Sequence, residues 1–76
     1  MARWSPCKRR VFIDKLVKLG FDPPEPGGRH FYMRHGSHTM SIPGNTEYSV
    51  PQLKFLLREV ETILGRKIAL KEWQSL

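Results

Sequence analysis

The three histidines of this chain lie within nine residues, in the stretch RHFYMRHGSH from Arg29 to His38. An imidazole can bind a metal ion, and it can act as a general acid or base near neutral pH. Two arginines accompany the histidines, and a guanidinium binds a phosphate through paired hydrogen bonds. Three interpretations are open at this point: a metal site, acid–base chemistry on a phosphate ester, and an ordinary hairpin.

The alternation of side chains along this stretch predicts a β-hairpin. A two-residue turn at His35–Gly36 is favoured because glycine can take the positive φ that such turns need. This turn pairs Arg34 with Ser37. It also places His30 opposite Ser41. Alternation along the strands then predicts an apolar face that packs on the core, made by Phe31, Met33, Met40 and Ile42. The other face is open to solvent and holds His30, Tyr32, Arg34, Thr39 and Ser41.

The three imidazoles are predicted to point in different directions. In this register His38 lies on the packed face, His35 in the turn and His30 on the open face. A zinc site needs three or four ligands that converge at about 2 Å, and the one cysteine, Cys7, is distant in the sequence. We therefore expect no metal and no cofactor. His30 is either a solvent-exposed general acid or base, or an exposed strand residue with no catalytic role.

His30 is accompanied by the residue types that metal-free cleavage of RNA requires. A base removes the proton of a ribose 2′-OH, the oxygen attacks the adjacent phosphorus, and cations stabilise the charge that develops. Arg29 and Arg34 are the nearest cations in the sequence. The stretch is therefore compatible with a ribonuclease site centred on His30.

Two amphipathic helices are predicted to cover the apolar face of the hairpin. The first runs from Pro6 to Leu19, with Ser5 as its cap and Gly20 as its stop. Its apolar arc comprises Phe12, Ile13, Leu16 and Leu19, and its outer face carries Lys8, Lys15 and Lys18. The second helix follows Ser49, which stands three residues before Gln52 in capping-box spacing, and ends at Gly65.

Shorter segments complete the chain. In FDPPEPGG, three prolines predict an irregular loop, or at best a short edge strand. In the tail from Arg66 to Leu76, we expect a short third helix that docks through Ile68, Leu70 and Trp73.

Length and charge narrow the class of protein. The 76 residues predict a single domain over 1–76, and a net charge of +6 with a pI near 10 favours a polyanion as partner, RNA or DNA first and an acidic protein second. One cysteine excludes an internal disulfide framework. No apolar run reaches the length of a membrane span, and no signal-peptide core follows the N-terminus, so we expect a soluble cytoplasmic protein with no membrane partner.

The order of these motifs resembles the HicA toxins, small RNA-cleaving proteins of bacterial and archaeal toxin–antitoxin pairs. The resemblance is carried by KLVKLGF, GGRHFYM, SIPGN and EYSVPQLKFLLRE, and it covers Lys8 to roughly Glu59. It implies an α+β fold like the double-stranded-RNA-binding domain, in the order α-β-β(-β)-α, with a small antiparallel sheet covered on one face by two helices. It also implies that His30 is the catalytic histidine and that a HicB-like antitoxin is the protein partner.

The chain departs from the family pattern at four places, one of which is the tail beyond Gly65, for which the family has no counterpart. Arg29 stands where the family has a serine before the histidine. The SIPGN segment lacks the second histidine that the family often carries nearby. The prolines of FDPPEPGG fall where the family has its first strand.

Together these observations predict a metal-independent endoribonuclease of the HicA type that acts on mRNA, with His30 as general base or acid. The residues expected to contact RNA are Lys8, Arg9, Arg10, Lys15, Arg29, Tyr32 and Arg34. A non-catalytic RNA-binding module with the same fold is the alternative, and a domain that binds only another protein is a third interpretation.

Overall fold

A computed structural model describes residues 3–76, which form an α+β fold of short antiparallel strands and helices. The elements in chain order are β1 (Cys7–Lys8), α1 (Arg9–Lys18), β2 (Glu25–Gly27), β3 (His30–His35), β4 (His38–Ile42), β5 (Glu47–Tyr48), α2 (Val50–Leu64) and α3 (Leu70–Ser75). The α+β class expected from the sequence is confirmed. Nowhere in residues 3–76 is there a helix long and apolar enough to cross a membrane.

Strands β2, β3 and β4 form a three-stranded antiparallel sheet in that order. The proline-rich stretch therefore forms an edge strand rather than a loop, with Glu25 paired to Tyr32 and Gly27 to His30. Pro26 lies in the middle of β2. A proline is tolerated there because an edge strand needs its N–H groups only on the side of its one neighbour.

The β3–β4 hairpin differs from the predicted register. Its turn is Gly36–Ser37, and His35 pairs with His38, so the predicted turn at His35–Gly36 is wrong. In the observed turn Gly36 is the first central residue, with φ of 60°, and no residue other than glycine takes a positive φ in residues 3–76. The predicted turn would have made His35 the first central residue, where both hairpin turn types with two-residue loops require positive φ.

The two faces of the hairpin are those predicted, because the register shift of two residues leaves the alternation unchanged. Met33, Met40 and Ile42 are fully buried on the inner face, in the same core as the apolar residues of α1 and α2. Phe31 was expected in that core but remains 39% exposed. It lies near the start of β3, where the guanidinium of Arg9 is 5.8 Å from the centre of its ring.

Helix α1 begins later than predicted. Cys7 pairs with Tyr48 and Lys8 with Glu47, and this two-stranded sheet holds the chain extended up to Arg9. The predicted start at Pro6 with a Ser5 cap is therefore wrong, and the Lys8 side chain makes no capping hydrogen bond. The apolar arc of α1 is confirmed, since its central members are buried, and the helix stops before Gly20, where φ is 104°.

Lys15 of α1 is half-buried, although the helical wheel places it on the solvent face. Its Nζ donates a hydrogen bond of 2.7 Å to the carbonyl oxygen of Trp73 and lies 4.9 Å from the centre of the indole ring. The Trp73 ring also packs against Phe12, with ring centres 5.7 Å apart. Lys15 therefore fastens the C-terminal helix to α1.

Helix α2 follows the sequence prediction closely. The Oγ of Ser49 accepts a hydrogen bond from the N–H of Gln52, and Gly65 ends the helix with φ of 73°. Its buried side chains are Leu53, Leu56, Leu57 and Val60. The predicted third helix is also present as α3, with Ile68 and Trp73 buried and Leu70 half-buried.

The side-chain alternation on β4 can be tested with adjacent residues. Met40 is fully buried and Thr39 is exposed, so Met40→Ala removes core packing and Thr39→Ala does not. We expect Met40→Ala to lower the free energy of unfolding by about 2–5 kcal/mol, and Thr39→Ala to change it by less than about 0.5 kcal/mol. Urea unfolding of both variants measures the difference. Equal losses in the two would contradict the assignment of the faces.

Candidate functional site

The open face of the β2–β3–β4 sheet lies opposite the core, and His30 stands on it at the start of β3. The His30 side chain is exposed, as the sequence predicted. Its cross-strand neighbour on β2 is Gly27, which has no side chain. Ser41 pairs with Tyr32, so the prediction that Ser41 faces His30 is wrong. The imidazole therefore has open solvent above it and a glycine at its side.

Tyr32 leans across the open face towards β2. A Cβ atom added to Gly27 would overlap the Tyr32 ring, so the ring occupies the space that a side chain would fill. Because Gly27 is directly paired with His30, the tyrosine ring lies beside the histidine on the sheet surface. A half-buried aromatic ring in this position offers a base a surface on which to stack.

The two arginines near His30 have different surroundings. Arg29 is exposed in the turn that joins β2 to β3, next to Gly28 with φ of 69°. The Nε of Arg34 donates to the Oε2 of Glu25 at 2.8 Å. A phosphate at Arg34 would compete with this carboxylate, so Arg29 is the arginine better placed to hold one. Glu25 was not predicted as part of the site, because its hydrogen bond to Arg34 depends on the edge strand β2.

A basic cluster, Lys8–Arg10, lies at the start of α1. With Thr46 it surrounds a surface depression of about 310 Å³. The first turn of α1 contains no acidic residue, so no carboxylate of that turn neutralises this positive charge. The contact of Arg9 with Phe31 brings the cluster to the end of the sheet where β3 begins. The basic cluster and His30 are therefore at the same end of the sheet.

The remaining predicted RNA contact, Lys15, is not part of this group, since its ammonium is engaged by Trp73. His35 and His38 lie at the far end of β3 and β4 from His30. The prediction that His35 lies in the turn is wrong, because His35 is the last residue of β3. Its ring packs against Phe21, with ring centres 5.1 Å apart. Within residues 3–76 no group of three or more His, Cys, Asp or Glu side chains is placed to hold a metal ion.

The SIPGN segment begins in β4, and its last three residues, 43–45, form a loop that is fixed by two hydrogen bonds. The hydroxyl of Tyr48 donates to the carbonyl oxygen of Pro43 at 2.7 Å, and the side-chain amide of Gln52 donates to Asn45 at 3.2 Å. Burial raises the pKa of Tyr48 to about 12, with a smaller opposing effect from Arg9. This loop borders the same end of the sheet as His30, so its anchoring helps to define the shape of the site.

Taken together, the open face carries the accessible imidazole of His30, the ring of Tyr32 and the guanidinium of Arg34 paired with Glu25. Arg29 lies in the adjoining turn, and the basic cluster is at the same end of the sheet. These groups can accept or donate a proton, hold a phosphate and support a base. No family model, curated protein or solved structure matches the chain.

The anchoring of SIPGN by Tyr48 gives a pH-dependent prediction. The folded-state pKa of about 12 lies above the ordinary value of 10.0, so the neutral phenol contributes stability below pH 10 and loses it as the pH rises from 10 towards 12. At pH 8 we expect Tyr48→Phe to be less stable by about 1 kcal/mol, the value of one hydrogen bond. The difference between the two proteins should shrink above pH 10 in urea unfolding. A constant difference from pH 8 to 12 would contradict this role of the hydroxyl.

Proposed function

We propose that the chain is an RNA-cleaving toxin of the HicA type, a metal-independent endoribonuclease that acts on mRNA. The observation that carries the proposal is the exposed imidazole of His30 on the uncovered face of the sheet, beside Arg29 and at the same end as the basic cluster. The order of α1, the three sheet strands and α2 agrees with the order that the resemblance to HicA toxins implies.

In the proposed reaction, a ring nitrogen of His30 takes the proton of a ribose 2′-OH. The 2′-oxygen attacks the adjacent phosphorus, the bond to the 5′-oxygen breaks, and the products are a 2′,3′-cyclic phosphate and a 5′-hydroxyl end. Arg29 stabilises the negative charge on the phosphorus-bound oxygens. The leaving 5′-oxygen takes its proton from water or from the imidazolium, because the histidines His35 and His38 stand at the other end of the sheet.

The basic cluster would bind the RNA backbone to one side of the cleaved bond. Each phosphate that contacts a lysine or arginine releases a counterion, so binding is expected to weaken as salt rises. Tyr32 would support one base by stacking, which is tolerant of sequence. These contacts predict recognition of backbone and shape more than of a particular base sequence.

A HicB-like antitoxin is the protein partner in this proposal, placed on the open face so that it covers His30. The open face is polar and belongs to a chain with a net charge of +6, which suits a partner with acidic side chains. Co-expression of such a protein is expected to relieve the growth arrest that the chain causes alone.

The exposed histidines His30 and His38 provide a matched test of catalysis. We expect His30→Ala to lower the rate of RNA cleavage by about 10²–10⁴, the usual contribution of a general acid or base. His38→Ala, at the opposite end of the sheet, should cleave at the rate of the unchanged protein. Cleavage of a labelled RNA with EDTA present measures both rates and excludes a metal contaminant.

Equal cleavage by the two variants would remove His30 from the chemistry. The alternative, a non-catalytic RNA-binding module, is favoured by the engagement of Arg34 with Glu25 and by the absence of a second histidine near His30 among the residues described. It predicts that RNA is bound with salt-dependent affinity by the unchanged protein and stays intact for hours.

A further inference from the structure

Besides the depression at the basic cluster, a cavity lies near the N-terminal end of α1, between the N-terminal segment, β1 and α3. Its volume is about 320 Å³, and we refer to it as the tryptophan cavity because Trp4 and Trp73, the two tryptophans of the chain, both line it. This volume lies at the lower end of the range for small-molecule sites in proteins.

The two indoles differ in how much of their surface is free. Trp73 is only 4% exposed, because Phe12 and the ammonium of Lys15 pack against it. Trp4 is half-buried and also borders a smaller neighbouring cavity of about 170 Å³. Trp73 therefore forms a fixed wall, and Trp4 presents ring surface on which a flat group can stack.

The charge around the tryptophan cavity is mostly positive. Three cationic side chains line it, Arg3, Lys8 and Lys15, and among the residues described the one carboxylate in its lining is Glu47. Lys8 also borders the depression of the basic cluster. The tryptophan cavity and the depression of the basic cluster therefore share Lys8 in their walls, and Arg9 of the cluster lies against Phe31 near the start of β3.

We propose that the tryptophan cavity binds a base of the RNA chain, stacked on Trp4, with the phosphate next to that base held by Arg3 and Lys8. This inference rests on the proposed function, because it makes the cavity a subsite for the same RNA whose backbone crosses the basic cluster. An aromatic ring beside several cations matches the chemistry of a nucleotide, which is a flat heterocycle joined to an anion.

Glu47 adds a preference among bases. A carboxylate accepts hydrogen bonds from the exocyclic amino groups of adenine, cytosine and guanine, and uracil has no such group. Glu47 is paired with Lys8 in the β1–β5 sheet, which fixes the backbone of Glu47 beside the cavity that its side chain lines. We therefore expect the cavity to favour amino-bearing bases over uracil.

Cys7 also borders the cavity, but it does not take part in this inference. It is 8% exposed, and burial raises the pKa of its thiol, so the sulfur is a neutral part of the wall at physiological pH. The proposed subsite therefore involves binding alone and no covalent step.

Tryptophan fluorescence tests the inference, because both tryptophans of the chain line the cavity. The intact protein is titrated with AMP, with UMP and with a short RNA made resistant to cleavage by 2′-O-methyl groups. We expect saturable quenching by AMP and by the RNA, with AMP binding tighter than UMP, and with affinities that fall as salt is raised. Absence of quenching by the RNA at millimolar concentration would overturn the inference, as would quenching by an acidic peptide but not by nucleotides.

Two variants and one control locate the binding. Trp4→Leu is expected to weaken RNA binding by roughly ten- to a hundredfold, because one base loses its stacking partner. The fluorescence of Trp73 still measures binding in this variant. Lys8→Gln should weaken it and reduce its salt dependence. Lys18→Gln removes an equal charge from an exposed position at the end of α1 and should bind as the unchanged protein does. Equal losses in Lys8→Gln and Lys18→Gln would contradict a defined subsite.

Quenching and cleavage together distinguish a failure of the proposed base subsite from a failure of the proposed ribonuclease activity. His30→Ala should keep the quenching even though it is expected to lose cleavage. Quenching without cleavage in the unchanged protein would support the subsite and contradict the ribonuclease. Cleavage that depends on His30, together with no quenching, would support the ribonuclease and contradict the subsite.

Discussion

The burial of one face of a small sheet is the constraint on which the rest of this structure depends. A chain of 76 residues buries only about 60% of its extended surface, so few side chains are available to form the core. Met33, Met40 and Ile42 are fully buried among them. A strand displaced by one residue would expose this set and bury its polar neighbours, which is strongly unfavourable. The exposure of His30 is a direct consequence, because it shares its face with Tyr32 and not with Met33.

The same constraint explains which features could be predicted from the sequence. The faces of the hairpin depend on alternation alone, so they were predicted although the register was shifted by two residues. The register depends on whether His35 or Gly36 takes the first central position of the turn, and the positive φ required there favours Gly36, so the sequence did contain a signal for the observed register. Helix α2 was predicted with its limits because its cap and its glycine stop are both local signals.

Features that arise from contacts between distant residues were not predicted. The pairing of Cys7 with Tyr48 delays the start of α1, and these residues are far apart in the sequence. A helical wheel places Lys15 on the solvent-facing side of α1, but in the structure its ammonium group donates a hydrogen bond to Trp73 of α3. Of the candidate site, the sequence predicted the open-face position of His30 and Tyr32. It did not predict Glu25 beside Arg34, or the approach of Arg9 to Phe31.

The surface is divided between residues that hold the fold and residues that remain available. Lys15 and Arg66 are both basic, yet each is engaged in fastening the C-terminal segment, Lys15 through Trp73 and Arg66 through Glu72 at 2.8 Å. Net charge therefore overstates the positive surface open to a polyanion. Among the cations that remain exposed or half-buried, the basic cluster and Arg29 lie at the end of the sheet where His30 stands.

The proline in β2 also restricts how this sheet can grow. Pro26 stands in the middle of an edge strand, and a proline has no backbone N–H to offer to a further strand on that side. The opposite edge, β4 from His38 to Ile42, contains no proline. A peptide that extended the sheet by β-augmentation would therefore pair with β4. Edge-to-edge pairing of two copies through β2 is disfavoured.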